Sequence, residues 1–395
     1  MKCIAIALLF IAIAASPTFA QELEWAKFFG AENGYGYGFG AIPAIDGGFI
    51  AVGTSFANID SFGNTRRLYV VRTRDDGTHE WSKLIGGDYT VTGRRIVAIG
   101  NRYLVACTNE SRNGASHLVS IKWMSRSGDI EAEQRFANTF GLVDMIATAD
   151  GGAVVACSSV VGTSVLRFDS NATFKWRQDH GSMPYPTGID ETLDGGFILS
   201  STASATDGRL DLNTGDVRLL RLSSTGDSLW RKRIFTPVFE SDPIVLQNPD
   251  GGLTIGGRIE GVGFMFKIGS ADTILYHRTI DYGIGSRGVI DMVNYRGGVI
   301  VLGNFNSTTS GVLSAPILTR VSSEGDVVWQ RKFDVIGRQT RAQSIHRMNG
   351  AFILGGVGSL EVTPNTNELM LTRISEPTSG VADQEWKTIE RIDLR

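Results

Sequence analysis

Asp194-Gly195-Gly196-Phe197-Ile198, then Leu220-Arg221-Leu222, then Thr225-Gly226-Asp227-Ser228-Leu229-Trp230: these three short signals, in this order, carry the reading of the chain. The first recurs as Asp46-Gly47-Gly48-Phe49-Ile50, Asp150-Gly151-Gly152-Ala153-Val154, Asp250-Gly251-Gly252-Leu253-Thr254 and Arg296-Gly297-Gly298-Val299-Ile300. Gly100-Asn101-Arg102-Tyr103-Leu104 and Asn349-Gly350-Ala351-Phe352-Ile353 are degenerate copies. Together they make seven, at intervals of 54, 50, 44, 56, 46 and 53 residues. A period of that size marks a repeat architecture, with the irregularity taken up in loops. The second signal is a basic residue inside an apolar run: Arg72, Lys122, Arg167, Arg221, Lys267, Arg320 and Arg373. Nine residues later an aromatic follows in five copies, Trp81, Trp176, Trp230, Tyr276 and Trp329; the second copy has Glu131 and Ala132 there. Turn residues such as Asp75-Asp76-Gly77 and Ser323-Glu324-Gly325-Asp326 lie between the two markers and predict a hairpin.

The seventh copy lacks its aromatic, since Arg373 runs into Ser375-Glu376-Pro377. The segment Leu23-Glu24-Trp25-Ala26-Lys27-Phe28-Phe29-Gly30 resembles Trp81-Ser82-Lys83-Leu84-Ile85-Gly86 and has no three strands of its own before it. The missing last strand of the seventh unit therefore lies at the other end of the chain. A closed ring needs that arrangement and an open array does not. Each unit reads as four short strands, in the fourth unit 188–193, 196–202, 216–223 and 228–233, and no segment holds a helical period. The expectation is an all-β, seven-bladed β-propeller with four-stranded blades, closed by an N-terminal strand that completes the last blade. Strands apolar on both faces fit blades packed between two neighbours, and closure hides the sheet ends.

The chain has 395 residues, 42% hydrophobic and 20% charged, which excludes wholesale disorder. Gly numbers 48 and Pro 10, a composition of many tight turns. Lys plus Arg is 38 against 41 Asp plus Glu, so no basic surplus points to nucleic acid. Met1-Lys2, an apolar stretch from Cys3 to Ala15 and Ser16-Pro17-Thr18-Phe19-Ala20 form the pattern of a secretory signal peptide cleaved after Ala20. Residues 1–20 are thus read as signal peptide, 21–375 as propeller and 376–395 as a C-terminal linker or tail. The mature chain is expected to be exported (secreted, periplasmic or at the cell surface), monomeric and without a membrane span. Cys107 and Cys157 end matching apolar runs 50 residues apart. The same position in neighbouring blades lies beyond the ~7 Å Cα limit of a disulfide, so both are expected to be buried free thiols.

The pattern D-G-G, then an apolar-flanked basic residue, then G-D-x-x-W resembles the repeats of exported bacterial β-propellers over about residues 22–375. That resemblance implies a cell-surface or extracellular protein. Thr225-Gly226-Asp227-Ser228-Leu229-Trp230 is also similar to the T-G-x-x-x-W part of the tryptophan-docking motif of quinoprotein dehydrogenases; the upstream Ala and Asp of that motif are absent from Arg221-Leu222-Ser223-Ser224. The tail resembles the spacer before a C-terminal secretion domain in Bacteroidetes, without the Asn-Pro strands of such a domain.

The recurring tryptophans are expected to fill the gaps between blades, and the glycine pairs to form turns. The seven basic residues have two readings. In one, the stem covers the neighbouring blade and the head meets turn carbonyls or the D-G-G aspartate. In the other, they form a ring of cations around the central channel. The acidic loop Asp207–Asp216 lacks EF-hand spacing, and the five histidines at 79, 117, 180, 277 and 346 have no metal-ligand spacing. Asn109, Asn171 and Asn306 stand in N-x-S/T triplets, read as meaningless in a bacterial chain. No nucleophile elbow, H-E-x-x-H or P-loop occurs. No catalytic, cofactor or metal residue is therefore expected, and no cofactor. The longest insertions, Thr54–Arg67, Ala203–Gly215, Asn304–Ala315 and Gly358–Asn367, join second to third strands and share one face, the candidate binding surface. Function is read as a non-catalytic binding module for a protein or glycan. The alternatives are a quinoprotein-like propeller enzyme and a structural spacer in a surface assembly.

Overall fold

The computed structural model describes residues 23–376 except 31–33, 58–64, 87–88, 112–116, 182, 184, 204–215, 235–239, 260–261, 272, 284–287, 307–313, 336 and 361–366. The signal-peptide pattern, the tail after Glu376 and most of the four long insertions lie outside the described residues.

Seven four-stranded antiparallel sheets make up the ring. Blade 1 holds β2–β5 (residues 34–85), blade 2 β6–β9 (89–136), blade 3 β10–β13 (139–180) and blade 4 β14–β17 (186–234). Blade 5 holds β18–β21 (240–280), blade 6 β22–β25 (291–332) and blade 7 β26–β28 (338–375), completed by β1 (Leu23–Phe29). The first strand of each blade touches the first strands of its neighbours all the way round, so these seven strands line the axis.

Closure occurs as the repeat arithmetic requires. β1 pairs with β28 (Asn367–Ser375) so that Trp25 stands opposite Arg373. The same register recurs as Arg72–Trp81, Arg167–Trp176, Arg221–Trp230, Lys267–Tyr276 and Arg320–Trp329.

The core is not inside any blade. Seven apolar clusters each sit between two consecutive blades. In β3 (Phe49–Ala57), Phe49 and Ala51 pack toward blade 7, while Ile50 and Val52 pack toward blade 2. Period-two alternation thus sends side chains into two different apolar interfaces, which is why these strands read as continuous apolar runs. Each blade depends on both neighbours, so stability is cooperative around the ring.

Candidate functional site

The two repeat markers prove to be structural. In blade 1, Arg72 donates to Asp46 of the D-G-G turn at 2.7 Å and to the carbonyls of Phe49 and Thr73. Arg167 meets Asp150 at 2.5 Å and the Ala153 carbonyl at 2.9 Å. Arg221 meets Asp194, and Lys267 meets Asp250 at 2.5 Å. Where the aspartate is missing the partner changes: Arg320 lies over the Tyr295 ring at 5.7 Å, and Arg373 pairs with Glu24 of β1 at 2.9 Å. These cations stand on third strands with their heads in the turns, so they form no ring around the channel.

Lys122 is a correction. The position equivalent to Arg167 in blade 2 is Trp123, which faces Leu104 and Ala132 just before the hairpin's register shift. Lys122 is one residue early and pairs with Glu133 at 2.9 Å. The aromatic has moved across the hairpin from the fourth strand to the third. Its indole N–H reaches the Ala172 carbonyl in the next blade's turn at 2.7 Å. Cys107 and Cys157 are free and buried, opposite Ser120 and Ser164 at matching registers. Burial pushes both thiols up to about 12, which leaves them un-ionised and inert.

Chemistry collects instead on the axis. Arg95 on β6 (Tyr89–Ile99), Asp144 on β10 (Thr139–Ala147) and Asp291 on β22 (Asp291–Tyr295) occupy the same register of their blades, opposite Ala106, Ala156 and Leu302. Arg95 Nε donates to Asp144 Oδ1 at 2.7 Å, and Arg95 also donates to the Phe39 carbonyl at 3.3 Å. Burial works against the Arg95 charge, yet the carboxylates of Asp144 and Asp291 hold its pKa above the ordinary value. Asp291 accepts from the amides of Met292 and of Ile345 in the next blade, both at 2.9 Å. Asp190 on β14 (Pro186–Glu191) lies two residues closer to the D-G-G end. It accepts from the Glu191 amide and, at 2.6 Å, from Gln247 of blade 5. Burial raises Asp190 to about 7, helped by the nearby Asp144 and Glu191 charges and opposed by its two amide donors. Burial raises Asp291 to about 6 against the pull of Arg95.

A cavity of about 760 Å³ opens at the D-G-G end of the channel, walled by Asp150, Asp190, Glu191, Gln247, Asn294 and their turns. Second-to-third-strand connections emerge at the opposite end, because strands alternate direction in every blade. This cavity is therefore not on the insertion-bearing face singled out from the sequence. Among the described residues no group of three or more His, Cys, Asp or Glu is arranged to hold a metal ion. The axial residues escaped the repeat analysis because they vary between blades. A weak signal does exist: Val143-Asp144-Met145, Ile189-Asp190-Glu191 and Ile290-Asp291-Met292 each place one aspartate after a β-branched residue in a first strand.

No protein-family model matches this chain, and no curated protein matches it. Among solved structures it is similar to virginiamycin B lyase from Staphylococcus aureus, at 11% identity and TM-score 0.53, over 90% of this chain and 100% of that one. It is also similar to the polysaccharide lyase Uly1, at 8% identity and TM-score 0.50, over 83% and 88%. A third is the β-propeller domain of the Trilobed protease from Pyrococcus furiosus, at 9% identity and TM-score 0.49, over 90% and 97%. At such identities the likeness is one of fold alone: the chain is a seven-bladed β-propeller.

Proposed function

We propose that this chain is an exported binding propeller that holds a polar ligand, a glycan or a protein segment, at the D-G-G mouth of its axial channel. The observation that carries the reading is the cavity at that mouth. Its wall offers carboxylates and amides from four consecutive blades, Asp150, Glu191, Gln247 and Asn294. Acceptors and donors spaced around a concave rim suit hydroxyl groups or peptide amides. Export is supported by the n-region, apolar run and small-residue site of residues 1–20. The test is a glycan array and peptide library probed with the exported chain, with Gln247→Ala as control. The expected result is selective retention of one ligand class, weakened at least tenfold by the substitution, and a mature chain that begins at Gln21. Indifference of binding to Gln247→Ala would overturn the assignment of the mouth.

One observation favours a second reading, a propeller enzyme. Asp190, at the cavity wall, holds a proton near neutral pH, which is the property of a general acid. Turnover that follows a single ionisation near pH 7 and disappears in Asp190→Asn would select it over the binding module.

A further inference from the structure

Buried cations in this fold are matched by carboxylates, as in Arg72–Asp46, Arg95–Asp144 and Lys122–Glu133. Arg94 is different. It is the extra residue of the bulge in β6, where the register shifts between Gly93 and Arg95. Its guanidinium lies 4.6 Å from the centroid of Phe39, itself the extra residue of the bulge in β2 (Gly34–Pro43). Two bulges in adjacent first strands thus set a cation on an aromatic face at the axis, a use of bulges that re-aims side chains. Arg94 Nε is buried and has no hydrogen-bond partner, and no described carboxylate forms an ion pair with it. Burial and the charges of Arg95 and Arg66 all press its pKa down. The Arg95 charge is already taken by Asp144, and Arg66 is exposed above Phe56 at 5.3 Å. A half-buried cation beside two others, with its face on a ring and no counter-ion among the described residues, is costly unless a bound anion supplies one.

We infer that Arg94 anchors an anion site partway along the channel, on the insertion-bearing side of Arg95, taking the oxyanion of a small ligand: a carboxylate, sulfate or phosphate group. Phe39 covers one face of the guanidinium and fixes its plane. The N–H edge is then left for a two-point contact, the geometry for which arginine is suited. Arg66 adds longer-range attraction. The site lies one residue beyond Arg95 on the side away from the Asp190 mouth, and it stands whether or not that mouth binds a glycan or peptide.

The experiment titrates the purified mature chain with sodium glucuronate, sodium sulfate and sodium phosphate at constant ionic strength, read by calorimetry and by thermal shift. The expected result is saturable binding of at least one. Glucuronate alone would identify an organic acid as the source, and the inorganic ions alone a free oxyanion. Arg94→Gln should weaken the binding at least tenfold. If that variant does not fold, modification of the native chain by phenylglyoxal, mapped by mass spectrometry, replaces it. Protection of Arg94 by the same anion supports the site. Failure of all three anions to saturate, equal affinity in Arg94→Gln, or no protection of Arg94 would each overturn it.

Discussion

At the residue scale, the repeat is held by a lock between an aromatic and a glycine of the next blade. Gly77, Gly128, Gly226 and Gly325 adopt positive φ of 78°, 82°, 85° and 89° in third-to-fourth-strand turns. Each is covered by the fourth-strand aromatic of the preceding blade, Trp25, Trp81, Trp176 and Tyr276. A Cβ on Gly226 would stand 2.8 Å from the Trp176 ring. Glycine is required there twice over, for the left-handed backbone and for the close approach. Gly226→Ala should cost about 2–4 kcal/mol, as strain plus overpacking. Gly195 has the same sign of φ (77°) with nothing within 4 Å of a Cβ, so Gly195→Ala should cost only about 1 kcal/mol. Urea midpoints of the two variants measure the difference, and equal losses would mean that the aromatic contact contributes nothing. The lock also explains Trp230, which is 40% exposed: the next turn, around residues 269–273, places no positive-φ glycine under it.

At the element scale, β1 is the only strand of its blade drawn from the other end of the chain, and it closes both a sheet and an interface. It supplies Trp25 and Phe29 to the cluster between blades 7 and 1. Trp25 packs on Phe49 at 5.5 Å between ring centroids. Without it, β28 becomes an open edge and Arg373 loses Glu24. A chain beginning at residue 31 should unfold at a markedly lower urea concentration and self-associate through the bared edge, and adding the peptide of residues 21–30 should reverse both effects. Sedimentation velocity with and without peptide is the check; a monomer of unchanged stability would show that closure does not depend on this strand.

At the scale of the whole molecule, charged side chains are stacked at successive levels along the channel. Arg94 and Arg95 stand toward the insertion-bearing end, Asp144 and Asp291 beside Arg95, and Asp190 and Glu191 toward the D-G-G mouth. This arrangement couples folding to pH in two opposed windows. Asp190 and Asp291 have raised values, so the folded state binds more protons than the unfolded one between the ordinary aspartate range and about 7. Stability from these groups is complete below that range and is lost as pH rises through it. Asp150 is lowered to about 2 by its bonds to Thr148 and Arg167, and Asp194 and Asp250 are also lowered. Their contribution is present above the ordinary range and is lost as pH falls. The chain should therefore be most stable near pH 5. The shift of Asp190 sets a ceiling of roughly 4 kcal/mol on its share. Asp190→Asn should flatten the decline between pH 5 and 8, at the expense of one amide partner at every pH. Urea midpoints across that range test it, and an unchanged slope would place the titration elsewhere.

The sequence by itself determined the number of blades, their four strands and the closure by the segment around Trp25. Those features follow from periodic residues, because repeats in equivalent surroundings reuse the same turn glycine and aromatic, as at Gly77, Gly128, Gly226 and Gly325. It also contained the pairing of Arg221 with Asp194, since a basic residue in an apolar run needs a partner and the D-G-G aspartate recurs in step with it. The shift of blade 2 from Lys122 to Trp123 was not legible, because only the hairpin register distinguishes two adjacent residues. The axial cluster was not legible either. Arg95, Asp144 and Asp291 are 49 to 196 residues apart (144 − 95 and 291 − 95), and nothing local relates them. Only when seven first strands are brought around one axis do single substitutions in different blades share a volume small enough to shift each other's protons.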